Sequence, residues 1–219
     1  TLKKEFEADS VIVLTKERYK VVQGGKAFLA DADLKPLNNL IVSRIGKFAG
    51  RLAVFEKEQK NGVLHLSGRI VAEPRFTSVV LDKSFFRASL PPSPDTRWII
   101  CDSTGRTISK RTYQDTAPFN GVFFPVQNKG FWGAIDTSGN EIVACVHDSL
   151  IQFLDNHIVV KFKGQYGIID TQERWVITPQ RKQLRLIGND RYFEITPDNK
   201  ILRSFAGDVI YFTSNRIEI

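Results

Sequence analysis

At 219 residues, 42% apolar and 25% charged, the chain has the composition of a globular protein with room for one core or one repeat array. Its longest apolar runs, such as DSVIVL and NLIVS, fall far short of the roughly 18 residues a spanning helix needs, so no transmembrane helix is expected. The net charge of +7 is uneven: residues 1–111 hold 20 Lys and Arg against 12 Asp and Glu (+8), and residues 112–219 hold 11 against 12 (−1).

In chain order, short runs rich in Val, Ile and Phe alternate with Gly, Asp, Asn and Pro, the signature of strands and turns. SVIVL (10–14) comes first, followed by YKVVQ (19–23), LAVFE (52–56), FRASL (86–90), VFFPV (122–126) and IVVKF (158–162). Each of the last five is followed by a related segment: KAFLADADLKPL from Lys26, NGVLHLSGRIVA from Asn61, WIICDSTGRTIS from Trp98, WGAIDTSGNEIV from Trp132 and YGIIDTQERWVI from Tyr166. These segments lie 35, 37, 34 and 34 residues apart, a period that marks a repeat array. A third run then follows an Asp-x-x-Gly turn, and a fourth run (NLIVSRI, FTSVVL, LIQFL, QLRLI) closes each unit. After RYFEI (191–195) the spacing leaves room for KILRSF, DVIYF and the terminal RIEI, so the last unit is expected to lack a strand. The expectation is a single all-β domain over 1–219, with five fairly complete units and a truncated sixth. It takes the form of a small β-propeller or an open propeller-like spiral, with a β-solenoid as the alternative. No secretory leader is visible. The chain opens on Thr1 and holds no methionine, which leaves a trimmed leader open.

Local chemistry gives structural roles to the most conspicuous segment, residues 132–143. Asp136 bonds its own backbone two residues on and nucleates a turn. Gly139 supplies a positive φ. Trp132 offers a large apolar surface to the core. Gly133 allows a neighbouring backbone or ring to approach closely.

This pattern resembles the WG repeat family, also called KWG repeats. Trp132, Gly133, Ile135, Asp136 and Gly139 carry the resemblance, with Tyr166, Gly167, Ile169 and Asp170 in the next unit. Trp98, Asp102 and Gly105 match with Ile99 replacing the glycine. Asn61, Gly62 and Gly68 match without the aromatic, and the segment at Lys26 keeps only the spacing. The resemblance implies a largely bacterial interaction module with no common catalytic activity.

The usual chemical signatures are missing from the sequence. The two cysteines, Cys101 and Cys145, make no CxxC and are expected to be reduced, which points to the cytoplasm by default. His65 stands where Asp136 stands in its own unit and reads as a turn residue. Cys145, His147 and Asp148 are near neighbours, but i and i+2 positions on a strand share a face without triad geometry. His157 completes the histidines. No zinc spacing, phosphate loop, dinucleotide fingerprint or calcium loop occurs. Neither enzyme activity nor a cofactor or metal is expected.

What remains are basic surface patches. Arg44, Lys47 and Arg51 surround Phe48; Arg106, Lys110 and Arg111 follow Arg97; and Arg181, Lys182 and Arg185 form a third group. The charge asymmetry favours the first two groups as a docking face for an acidic protein partner, with a Pro-rich loop at 91–95 adjoining it. A nucleic-acid-binding propeller using the same basic half is the alternative.

Overall fold

The computed structural model describes residues 7–82, 84–91, 97–188 and 190–214, and contains no helix among them. Residues 92–96 of the Pro-rich loop and the closing RIEI lie outside the described residues. The chain divides into two compact units, Thr1–Thr112 and Tyr113–Ile219. Each contains three antiparallel sheets formed from consecutive strands.

In the first unit, the first sheet contains β1 (Ser10–Thr15), β2 (Arg18–Gln23) and β3 (Lys26–Ala30). The second contains β4 (Arg44–Ile45), β5 (Leu52–Lys57), β6 (Lys60–His65) and β7 (Ile70–Phe76). The third contains β8 (Ser78–Asp82), β9 (Phe85–Leu90) and β10 (Arg97–Asp102).

In the second unit, the fourth sheet contains β11 (Asp115–Thr116), β12 (Phe124–Asn128), β13 (Phe131–Ile135) and β14 (Glu141–His147). The fifth contains β15 (Ser149–Leu154), β16 (His157–Phe162), β17 (Gln165–Asp170) and β18 (Trp175–Gln180). The sixth contains β19 (Gln183–Gly188), β20 (Arg191–Ile195), β21 (Asn199–Ser204) and β22 (Val209–Ser214).

The fold class is therefore all-β, an array of six up-and-down sheets of the propeller-blade type. Every named ladder is antiparallel and joins strands adjacent in sequence, whereas a β-solenoid needs parallel pairing from rung to rung. Two expectations change in detail. The run assigned to the end of each unit is the first strand of the next sheet. Thr77 alone separates β7 from β8, and Asp148 alone separates β14 from β15. A sequence period fixes the repeat length but not its phase, so the sheet boundary was free to fall on either side of that run. The last sheet is also complete, with four strands. The strand-poor sheets are the first and third.

Burial explains why the sheets need one another. Along β6, Val63 faces a core cluster with Phe76, Phe86 and Cys101, while the next residue, Leu64, faces another with Leu29, Ile45 and Phe55. Along β17, Ile168 packs with Leu184 and Tyr192, and Ile169 with Phe123, Ala134 and Ile158. Successive side chains on a strand point to opposite faces. A central strand with apolar residues on both faces must therefore be covered by a sheet on each side.

Candidate functional site

The turns that follow the second long strand of each hairpin share one geometry. Asp136 Oδ1 accepts the amide hydrogens of Ser138 and Asn140, both at 2.8 Å, and Gly139 N donates to Asp136 O. Asp170 does the same with Gln172 and Arg174, and Asp102 with Thr104 and Arg106. Asp31 accepts from Asp33 and Lys35, and in the sixth unit Ser204 Oγ accepts from Asp208 N. Three residues after each turn head, φ is positive: Leu34, Gly68, Gly105, Gly139, Glu173 and Gly207. Burial pushes the carboxyls of Asp102, Asp136 and Asp170 upward. The hydrogen bonds they accept outweigh it and hold all three below the ordinary aspartate range.

The glycine of the Trp-Gly pair has a steric cause. Opposite Gly133 the fourth strand bulges: Trp132 pairs with His147 and Ala134 with Val143. The bulge folds the backbone over the glycine, so that an added Cβ would strike the Val143 carbonyl and stand 2.7 Å from Cys145 N. A Cβ on Gly62 would stand 2.7 Å from Ala72 O, and one on Gly167 would stand 3.0 Å from Ile177 O and strike the Trp175 ring. Trp132, expected in the core, is half-buried, as are Trp98 and Tyr166. Ala134 and Ile135 beyond Trp132 are fully buried. The sequence reading missed Trp175, whose ring covers Gly167 and approaches both Phe162 and His147. Its only sequence signal was a tryptophan opening an otherwise aliphatic run.

The Cys145, His147 and Asp148 side chains go three separate ways. Cys145 Sγ lies 3.8 Å from Val126 O. His147 is 4% exposed, lies edge-on to the rings of Phe162 and Trp175, and has no partner for Nδ1. Burial lowers its pKa although Glu173 and Asp148 pull it up. Asp148 Oδ2 accepts from Gly164 N at 2.7 Å and closes a hairpin. His157 packs against Phe205 at 4.7 Å between centroids. Cys101 and Cys145 are not joined in a disulfide, and burial raises the pKa of Cys101. Among the described residues, no group of three or more His, Cys, Asp and Glu is placed to hold a metal.

Arg97, Arg106, Lys110 and Arg111 are all exposed, and Arg97 and Arg106 stand apart. Arg97 begins β10 and Arg106 lies in the turn past its end, roughly 17 Å along the strand at about 3.3 Å per residue. Arg106 Nε also lies 3.2 Å from Asp102 Oδ2. Arg44 pairs with Glu56 at 3.5 Å, and with Lys47 it lines a groove of about 340 Å³ beside Asn61 and Thr77. Arg51 lines a separate cleft. In the second unit, Arg181 and Lys182 line a cleft of about 620 Å³ with Tyr166, and Lys182 is held by buried Glu194 at 2.8 Å. Arg185 is exposed on β19. No helix among the described residues is long and apolar enough to cross a membrane.

Comparison with known structures gives distant likenesses. A crystal structure of a eukaryotic initiation factor is 10% identical, with a TM-score of 0.52 over 97% of this chain and 66% of that one, a likeness of fold alone. A structure of Kluyveromyces lactis Hsv2p is 8% identical, with a TM-score of 0.39 over 96% of this chain and 85% of that one. A protein of unknown function from Bacteroides caccae is 12% identical, with a TM-score of 0.29 over 93% of this chain and 96% of that one. No curated protein matches in sequence. The profile of the family described as WG containing repeat matches residues 132–166, the stretch running from the glycine-bulge pair of the fourth sheet to its counterpart in the fifth. That segment is similar to a WG repeat.

Proposed function

We propose that the chain is a non-enzymatic interaction scaffold whose first unit docks an acidic protein partner. One observation carries the reading: the whole excess of positive charge, +8, lies within the compact unit Thr1–Thr112, while the rest of the chain carries −1. Charge of one sign on one unit steers association with a partner of the other sign. The scattered roles of Cys145, His147 and Asp148 agree with a chain that has no nucleophile there. Within the first unit, Lys47 and Arg51 are more effective docking cations than Arg106, whose charge Asp102 already offsets.

The test is titration of a partner captured with the purified protein. Lys47→Glu with Arg51→Glu is expected to weaken binding at least tenfold, about 1.4 kcal/mol, mainly through slower association. Reversing Arg181 and Arg185 is expected to matter less. Equal losses in both variants would remove the charge-asymmetry reading. Tight binding of generic DNA or RNA that falls steeply with salt would replace it with the nucleic-acid one.

A further inference from the structure

The six turns differ at one position in a way that changes local charge. The turn head is Asp in four units and Ser in the sixth, but His65 in the second. The fourth residue after the head is Arg in the second, third and fifth units: Arg69, Arg106 and Arg174. In the third and fifth units the turn aspartate neutralises that arginine. Arg106 Nε lies 3.2 Å from Asp102 Oδ2, and Arg174 Nε lies 2.7 Å from Asp170 Oδ2. In the second unit the carboxylate is gone. Arg69 turns instead toward a neutral acceptor, with Nη1 lying 3.4 Å from Thr104 O in the next sheet's turn.

A cleft of about 530 Å³ opens at this place. It is lined by Arg51, His65, Arg69, Ser84, Ser103 and Thr104 among others, with no carboxylate among the described lining residues. The nearby Asp102 is already occupied, its oxygens accepting from Thr104 and Arg106. The positive field is felt by His65, whose pKa is lowered by burial and then by Arg69 and Arg51. The ring keeps its turn-forming role: Nδ1 accepts the Ser67 amide hydrogen at 3.1 Å and lies 2.8 Å from Ser67 Oγ. With Nδ1 as acceptor, the neutral ring carries its hydrogen on Nε2, a further donor.

We propose that this cleft binds a phosphate or sulfate group, held between the Arg51 and Arg69 guanidiniums with His65 as a third donor. Two guanidiniums present planar, paired N–H donors that match a tetrahedral oxyanion. The ligand is a small dianion. The site shares Arg51 with the proposed docking face, and Arg69→Gln, outside the residues named for that face, separates failure of the site from failure of the acidic-partner reading.

The test uses inorganic phosphate and sulfate, titrated separately into the whole protein at constant ionic strength, with chloride as the balancing anion. The His65 imidazole and the 65–69 amides are followed by NMR. Saturable shifts are expected, with Arg51→Gln and Arg69→Gln each weakening binding at least fivefold. His65→Asp restores the residue used in four other units, so it is expected to keep the fold and to abolish binding by neutralising Arg69. Arg174→Gln, at the matching position in the fifth unit, is expected to leave binding unchanged within twofold. Absence of saturable shifts, equal response to chloride, or full binding by His65→Asp would each overturn the site. If His65→Asp does not fold, the two arginine variants decide.

Discussion

The fourth and third sheets begin alike and end differently. Both have a tryptophan four residues before an Asp-headed turn, Trp132 before Asp136 and Trp98 before Asp102. The fourth sheet then adds β14, whereas the third stops at β10. The difference lies in the next residue, Gly133 against Ile99. Over Gly133 the fourth strand bulges, and a side chain there would meet its backbone. Ile99 fills that space and is itself part of the core. After the third turn, the chain meets β10 through the Cys101–Thr107 bridge and through hydrogen bonds between Ile100 and residues 108–109, without adding a named fourth strand. The first sheet repeats the lesson, with Phe28 at the equivalent position and three strands. The second and fifth sheets have Gly62 and Gly167, four strands and a bulge. The sixth, with Ile201 there, gains a fourth strand in which Ile201 pairs regularly with Phe212. The glycine thus accompanies a bulge directly opposite its own position, and is not the condition for a fourth strand; the sixth sheet has its irregularity one step later, between Leu202 and Arg203.

The most direct way to break this comparison is to add a side chain at the bulge. Gly133→Val is expected to cost about 3–4 kcal/mol, because the atoms it meets are backbone and cannot move without dissolving the bulge. Chemical denaturation reads the loss directly. A cost under 1 kcal/mol would show that the glycine is incidental.

The sixth sheet is the exception that has four strands without the glycine, and a buried ion cluster helps hold it. Glu194 on β20 is 6% exposed, 2.8 Å from Lys182 Nζ and 3.0 Å from Arg203 Nε. Glu194→Gln is expected to cost about 2–3 kcal/mol, near the lower end for a broken buried pair because Lys182 is partly solvated. Burial raises the Glu194 pKa, but the bonds from Lys182 and Arg203 prevail and place it below its ordinary value of 4.5. A depressed folded pKa means the contribution is complete above the unfolded value and is lost as pH falls through the folded one. Thermal unfolding of wild type should therefore lose stability below about pH 4.5, with a smaller loss in Glu194→Gln.

Much of the array was legible in the sequence because the turns are local. An aspartate that bonds backbone two and four residues ahead needs nothing distant, so Asp102, Asp136 and Asp170 could be read as turn heads from spacing alone. Burial of aromatics was less legible. Trp132 was expected in the core and is half-buried, while Trp175, given no role, lies across the glycine of the fifth sheet. Which aromatic covers a glycine depends on the neighbouring strand's bulge, a long-range feature with no local code. The arrangement of the basic candidates was less legible for a related reason. Arg97 and Arg106 are close in sequence but stand at opposite ends of a strand, and pairing with Asp102 or Glu56 is invisible in a count of charges. Trp132→Ala is accordingly expected to cost about 1–2 kcal/mol, below the 3–5 of a buried aromatic. Denaturation of this variant beside Gly133→Val would show which half of the Trp-Gly pair holds the fourth sheet.

The smallest effects are expected at the left-handed position of the turns, where the units again split in two. Gly139 has φ of 81°, whereas Leu34, at the same position in the first unit, has φ of 60°. A left-handed conformation costs a residue with a Cβ roughly 1–2 kcal/mol. Leu34 recovers part of that by packing against the cluster of Val21, Phe28 and Ala30. Gly139→Leu is expected to destabilise by about 1–2 kcal/mol, since left-handed strain is added together with a side chain at a buried position. Leu34→Gly relieves strain but gives up the contacts and loosens the unfolded chain, so the two effects nearly cancel and the net change should stay within about 0.5 kcal/mol. Both follow from equilibrium denaturation of the single variants. A large loss in Leu34→Gly would mean that packing, and not backbone conformation, governs the first turn.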